Sequence, residues 1–399
     1  MNIVPFTFNS NKKIIFRAGS VENLADEAGF YGKNIILFTG GSSLEKSGKL
    51  AEITKSLEEN GFSITKFSVN SEPSPELVDS IVKQLKDLKI DSITAIGGGS
   101  VIDTGKAVSA MLCEEGSVCN LLEGIGDRTP TGRKIPFIAV PTTAGTGSEA
   151  TSNAVLSRVG DAGFKKSLRH FNYTPDVAII DSKLYSSCPP AVAASSGMDA
   201  LSQLVEAYIS SNASFYSDIR VIGAIEVLLE ALPIVAATKD EQEYCGEACA
   251  NAWNKMAYAA FISGTALANC GLSVVHGIAG SVGGFFNSPH GAICGTLLAE
   301  GMKQTIIKLE NENPESASLL KFAKLGYIAA RSEDLLPKEA RYRFIQVLEG
   351  LTESLDIPRL SAFGITESDL PRIAAASSNK NNPISLSLEE ITSILRERL

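Results

Sequence analysis

The run Gly97-Gly98-Gly99-Ser100-Val101-Ile102-Asp103 constrains this chain most, because it joins a strand to a helix. Ser92-Ile93-Thr94-Ala95-Ile96 before it reads as a short buried strand, and Thr104-Gly105-Lys106-Ala107-Val108 after it reads as helix. Glycine lets a backbone approach an anion closely, and a helix N-terminus supplies free N–H groups and the positive end of its dipole. A phosphate-bearing ligand is the expected occupant; the plainer alternative is a simple turn. Pro141-Thr142-Thr143-Ala144-Gly145-Thr146-Gly147-Ser148-Glu149 repeats the arrangement after the apolar run Pro136-Phe137-Ile138-Ala139-Val140. Open α/β sheets bind ligands at that end of their strands.

Strand-like segments at 34–39, 63–69, 92–96, 136–140 and 177–180, with helix-like segments near 44–60 and 75–88, imply a parallel, doubly wound sheet. Beyond Ser187-Cys188-Pro189-Pro190 the pattern changes to helical spacing, with Ile219, Ile222, Ile225, Leu228 and Leu229 along one stripe. Thr366-x-x-Asp369 and the capping box Ser387-x-x-Glu390 signal further helix starts. The expected fold class is therefore α/β, with a Rossmann-like sheet domain over 1–188 and an all-helical domain over 189–399. A chain of 399 residues is long enough for both.

A net charge of −9 without a Lys/Arg-rich run argues against a nucleic-acid partner. No basic-then-apolar leader opens the chain, and no apolar run reaches membrane-span length, so no membrane partner is expected. Seven scattered cysteines suit reduced thiols and a cytoplasmic location. Cys245 and Cys249, one helical turn apart, read as packing.

The two glycine blocks resemble the iron-containing (group III) alcohol dehydrogenase family, which carries GGGSxxDxxK followed by PTTxGTGSE. Downstream, Gly197-Met198-Asp199-Ala200-Leu201 and the segment from His276 to Pro289-His290-Gly291 are similar to that family's metal-binding blocks, so the likeness spans essentially the whole chain. The resemblance implies the dehydroquinate synthase-like fold, with a nicotinamide dinucleotide and a metal in the cleft between the halves. It assigns Gly98, Gly99, Ser100 and Asp103 to the pyrophosphate region, and Thr142, Thr143 and Thr146 to the nicotinamide ribose and ring. Lys165 would reach a ribose hydroxyl; a solvated charge beside Lys166 is the competing reading. NAD-preferring relatives often carry an Asp at the end of the first strand, where this chain has Gly40, Gly41 and Ser42. That turn favours NADP(H) over NAD(H), because a carboxylate would repel a 2′-phosphate.

The family holds a divalent ion, such as iron or zinc, with Asp and His one turn apart plus two later histidines. Asp199, His276 and His290 occupy three of those places, but the fourth is Gln203, a weaker donor. A further family histidine near the substrate is Gly280 here. Three readings stay open: Gln203 as fourth ligand; metal-free action like the related maleylacetate reductases, with His276 or His290 giving the proton; or Cys294, one turn past His290, as a soft replacement. His170 matches no ligand position. The expected activity is hydride transfer between NAD(P)H and a small aldehyde or semialdehyde, with room for bulk at Gly280. A lyase resembling sugar-phosphate cyclases and a degenerate cofactor-binding protein are the alternatives. A homodimer paired through Phe6-Thr7-Phe8 is expected from the resemblance.

Overall fold

The computed structural model describes residues 5–40, 43–237, 246–379 and 381–399. Its strands are β1 (Lys13–Phe16), β2 (Asn34–Gly40), β3 (Ser63–Val69), β4 (Ser92–Gly97), β5 (Phe137–Pro141), β6 (Asn153–Arg158), β7 (Phe164–Arg169) and β8 (Val177–Ile180). Six of them form one parallel sheet in the order β1-β8-β5-β4-β2-β3, while β6 and β7 pair antiparallel as a separate hairpin. Helices α1 (Leu24–Gly29), α2 (Ser43–Lys46), α3 (Lys49–Glu59), α4 (Pro75–Leu85) and α5 (Gly99–Met111) connect the strands.

Covering both sheet faces explains the unbroken apolar runs of its strands. On β2, Ile35 and Leu37 join the cluster that holds Leu24 and Leu57, whereas Ile36 and Phe38 join the one that holds Val78 and Ile102. The helix expected over 44–60 is interrupted at Gly48, whose φ of 75° ends α2 and starts α3. Ser74 caps α4 by accepting from the Leu77 amide at 3.2 Å, with Pro75 in the first turn.

The second half consists of α6 (Pro190–Ile209), α7 (Phe215–Ala237), α8 (Gly246–Cys270), α9 (Val274–Phe285), α10 (His290–Glu312), α11 (Ala317–Ala330), α12 (Pro337–Ser354), α13 (Leu370–Ala376) and α14 (Leu388–Glu397). One cluster of buried side chains runs through these helices. On α7 the buried line passes through Val221, Ala224, Ile225, Leu228 and Leu232. Ile219 is corrected from the expected stripe: it is 59% exposed, because two residues before Val221 the helix presents its opposite side. The Ser387 box is present, with Ser387 Oγ accepting from Glu390 N at 3.2 Å and Glu390 Oε2 from Ser387 N at 2.6 Å. Thr366 and Asp369 make the same reciprocal contact just before α13. Cys249 is buried on α8, while Cys245 lies outside the described residues. Among the described residues no single helix is long and apolar enough to cross a membrane.

The two halves meet along the second glycine block. A Cβ on Gly145 would stand 2.6 Å from Ser196 Cβ on α6, and one on Gly147 would stand 2.5 Å from the Gly264 backbone on α8. Gly147 also has a φ of +60°, which side-chain-bearing residues rarely adopt. These glycines let a loop of the sheet half press against helix backbone. Gly147→Ala is expected to destabilise the protein by about 2–5 kcal/mol, from left-handed strain plus overpacking, measured as a shift in the denaturant midpoint.

Candidate active site

Sheet register brings the two motifs side by side. Thr39 of β2 pairs with Ile96 of β4, Gly97 pairs with Pro141 of β5, and the Thr142 amide donates to the Gly97 carbonyl at 3.0 Å. β2 and β4 leave in opposite directions for their next strands, so their ends flank the switch point where such sheets bind ligands. A cavity of about 670 Å³ opens there, bordered by Gly99, Ser100 and Thr146 on the sheet side and by Asp199, His276, Gly280 and His290 on the helical side.

The residues expected at the dinucleotide are placed differently from one another. Gly99 and Ser100 open α5 at the cavity, where first-turn amides have no intrahelical acceptor. Gly98 and Gly99 are also fitted against Thr143 and Thr146, since Cβ atoms on them would lie 3.3 and 2.6 Å from those side chains. Gly40 is fixed by packing: a Cβ there would meet Val101 Cγ2 at 2.3 Å and the Val69 carbonyl at 2.9 Å. Gly41 and Ser42 lie outside the described residues. Asp103 borders the cavity, yet its Oδ2 accepts from the Val155 amide at 3.0 Å and ties α5 to the hairpin.

Lys106, the last residue of the first motif, is buried and works inside the scaffold. Its Nζ donates to Ser148 O at 2.7 Å, Thr151 Oγ1 at 2.8 Å and Asn153 O at 2.7 Å, and stands 3.6 Å from Asp103 Oδ1. Burial pushes its pKa down to about 8 and pushes neighbouring Glu149 up to about 7. Lys165 has only 10% of its side chain exposed, so it is no solvated surface charge. Its ammonium lies 3.0 Å from Glu72 Oε2, while Glu72 Oε1 accepts from Ser100 Oγ at 3.0 Å. The chain Lys165–Glu72–Ser100 thus spans the sheet-side rim of the cavity. His170 caps a short turn, its Nδ1 accepting from the Asn172 amide at 3.1 Å.

On the helical side, ligand atoms of Asp199, His276, His290 and Cys294 all lie within 4.8 Å of one another. His276 Nε2 is 3.3 Å from Asp199 Oδ1 and 3.6 Å from Cys294 Sγ. His290 Nε2 is 3.9 Å from the same oxygen and 3.6 Å from the same sulfur. Asp199 Oδ1 and Gln203 Oε1 are buried without a hydrogen-bond partner. Such orphaned acceptors are costly unless a cation or donor completes them, so this donor set fits a divalent ion. The Gln203 amide nitrogen faces Asp199 Oδ2 at 3.4 Å. Burial opposes the Asp199 charge, but His276, His290 and Cys294 around it hold its carboxyl below the ordinary carboxylate range. Burial, with Lys165 next, pushes His290 down to about 4, and burial pushes the Cys294 thiol up to about 12.

Sequence reasoning missed Glu206. It is fully buried, accepts from His276 Nδ1 at 2.6 Å, and also receives Ser273 Oγ at 2.7 Å and Val275 N at 2.6 Å. One carboxylate therefore caps α9 and fixes the His276 ring, the outer-shell arrangement common to metal-ligating histidines. The available signal was spacing, since Asp199, Gln203 and Glu206 occupy successive turns of one face of an otherwise apolar helix. Glu72 was also missed and carried no local signal.

Comparison with known proteins decides the lineage. The family model described as "Iron-containing alcohol dehydrogenase" matches residues 11–182, and "Fe-containing alcohol dehydrogenase family, C-terminal" matches residues 193–399. The chain belongs to the iron-containing alcohol dehydrogenase family. It is accordingly an NAD(P)-dependent oxidoreductase of alcohols and aldehydes. This iron-type dehydrogenase is 34% identical to long-chain-alcohol dehydrogenase 1 of Geobacillus thermodenitrificans over 357 residues, 88% of this chain and 85% of the relative. It is 28% identical to the NAD-dependent methanol dehydrogenase of Bacillus methanolicus over 391 residues, 96% of each. Its fold matches the crystal structure of a 1,3-propanediol oxidoreductase with a TM-score of 0.88 and 27% identity, covering 99% of this chain and 100% of that one.

Proposed function

We propose that the protein reduces small aldehydes or semialdehydes to alcohols, and runs the reverse reaction, with NADP(H) favoured over NAD(H) and a divalent ion assisting. The observation that carries this reading is the cluster of Asp199, His276 and His290 facing the same cavity as the α5 N-terminus. When bound, the nicotinamide ring gives or takes hydride and the ion polarises the substrate oxygen as a Lewis acid.

The chain's own residues position and screen the reactants. The first amides of α5 would face the pyrophosphate, with Ser100, whose hydroxyl donates to Glu72, beside them. Thr142, Thr143 and Thr146 would line the nicotinamide side, with Thr146 bordering the cavity, and Lys165, whose ammonium pairs with Glu72, would reach a ribose hydroxyl. Asp199, His276 and His290 hold the ion, with Gln203 and Cys294 as the candidates for a fourth donor. Glu206 takes the proton of His276 on Nδ1, which leaves the Nε2 lone pair directed at the cluster. The NADP(H) preference is supported by the lack of a carboxylate at Gly40, although packing alone requires glycine there. The break between halves is placed at 188/189, just before α6. A homodimer is supported by the open edge of β1, where Ile14 and Phe16 are 42% and 43% exposed. Phe6 and Phe8 form no strand within one chain and pack on Tyr216 instead. Cys113 and Cys119 are free thiols, in keeping with the proposed cytoplasmic setting, whereas Cys249 is disulfide-bonded and departs from the all-reduced expectation.

Purified protein mixed with NADPH or NADH and a panel of aldehydes, with and without added divalent metal, tests this reading through nicotinamide absorbance. Consumption of NADPH with a lower KM than NADH is expected. Substrate turnover without net oxidation of the nucleotide would identify a lyase, and binding without turnover a degenerate protein. Gly280 borders the cavity, and a Cβ there would meet nothing within 4 Å. Gly280→Leu is therefore expected to fold normally and to lower kcat/KM for branched or long aldehydes by about 10- to 100-fold while sparing acetaldehyde, as steady-state kinetics would record.

A further inference from the structure

We propose that Cys294 supplies a protein ligand of the metal site beside Asp199, His276 and His290, and that Gln203 positions Asp199 through its amide nitrogen. The inference rests on the metal-assisted reading above and assigns its donor set. A tetrahedral ion with bonds of about 2.0–2.3 Å separates nitrogen from oxygen donors by about 3.3 Å and nitrogen from sulfur donors by about 3.6 Å. Both imidazole-to-sulfur edges, His276 Nε2–Cys294 Sγ and His290 Nε2–Cys294 Sγ, are 3.6 Å. The His276 Nε2–Asp199 Oδ1 edge is 3.3 Å. The remaining recorded edge, His290 Nε2–Asp199 Oδ1, is 3.9 Å, and His290 is the most exposed of the donors at 25%, with room for the small turn that shortens it.

The placement of these side chains follows from their helices. His290 and Cys294 stand one turn apart on α10, the spacing that the family normally gives to its Asp and His on the other helix. The lost donor on α6 is thus matched by a new one on α10. The Gln203 amide nitrogen faces Asp199 Oδ2 at 3.4 Å, and exchanging the amide atoms would set two acceptor oxygens that far apart. Its contact engages Oδ2 and leaves Oδ1, orphaned like Gln203 Oε1, within reach of both imidazoles. As the sulfur–metal bond forms, the thiol proton leaves to solvent and the thiolate binds. One oxygen, two imidazoles and one sulfur make a softer set than a carboxamide would, favouring zinc or cobalt over magnesium or manganese.

The test uses the full-length protein stripped with chelator and titrated with Co²⁺, read by absorption and by metal content. A thiolate-to-cobalt charge-transfer band in the near ultraviolet is expected for the wild type and for Gln203→Ala. Cys294→Ser should lose that band and bind Co²⁺ about 10- to 100-fold more weakly, with Cys294→Ala as a second variant should serine fold poorly. Tetrahedral d–d bands without a charge-transfer band in the wild type would overturn the assignment to Cys294 and leave metal binding intact. No Co²⁺ retained by any form would overturn the metal-assisted reading as well.

Discussion

Asp199→Asn is expected to lower kcat/KM for aldehyde reduction by about a thousandfold, the scale on which a fixed electrostatic or Lewis-acid contribution to a transition state is lost. The carboxylate is the only formal anion among the cluster donors apart from the cysteine sulfur, and its Oδ1 lies within reach of both imidazoles. Asparagine keeps the shape and the oxygen but removes the charge, so the ion loses its principal Coulombic partner in a dry site. Metal content should fall with the rate. NADPH binding by fluorescence titration should change little, because Gly99 and Ser100 belong to the opposite wall. Unaltered rate and metal content in this variant would remove the case for ion-assisted chemistry.

Lys106→Met should have the largest effect on stability, about 3–5 kcal/mol, the range found when one member of a buried charged network is removed. Methionine keeps an unbranched side chain of similar length and removes the ammonium that Ser148 O, Thr151 Oγ1 and Asn153 O share. Those atoms belong to the segment that runs from the second motif into β6, so dinucleotide affinity should weaken along with the denaturant midpoint. A pH signature separates this lysine from a neutral packing residue. Its folded pKa of about 8 is below its ordinary 10.5, so the folded protein holds fewer protons than the unfolded chain between those values. The contribution is present above pH 10.5 and is lost as pH falls through about 8; wild-type stability therefore gains a rising component across that interval. The variant should lack it. Matching pH profiles for the two proteins would show that folding leaves the Lys106 pKa at its ordinary value.

Much of the frame was legible in the sequence because its strands are short apolar runs closed by glycine, and because a sheet covered on both faces has no polar alternation to confuse. The β6–β7 hairpin was not legible. Phe164-Lys165-Lys166-Ser167-Leu168-Arg169 has no continuous apolar run, and its charges are satisfied far along the chain, Lys165 by Glu72 and Arg169 by Glu123. Long-range pairing leaves no local trace, and for the same reason Glu72 was invisible. The helical wall of the site divides differently. Asp199 and Gln203 could be set on one helix face by spacing, and Glu206 could have been added by the same rule. His276 and His290 came through resemblance, and only packing of α9 against α10 brings their rings together. The second glycine block was read as a ligand cradle, whereas Gly145 and Gly147 are used mainly for contact with α6 and α8.

The backbone-to-backbone meeting of Gly147 and Gly264 has a mechanical consequence. A seam without side chains cannot yield by rotamer change, so the sheet and the bundle can only rock about it. Opening the cleft must then break a second contact between the halves, where Lys165 of β7 lies against Gly283 of α9. A pair of distance probes across that contact would record the arrival of a nucleotide, and a pair straddling the seam would stay silent.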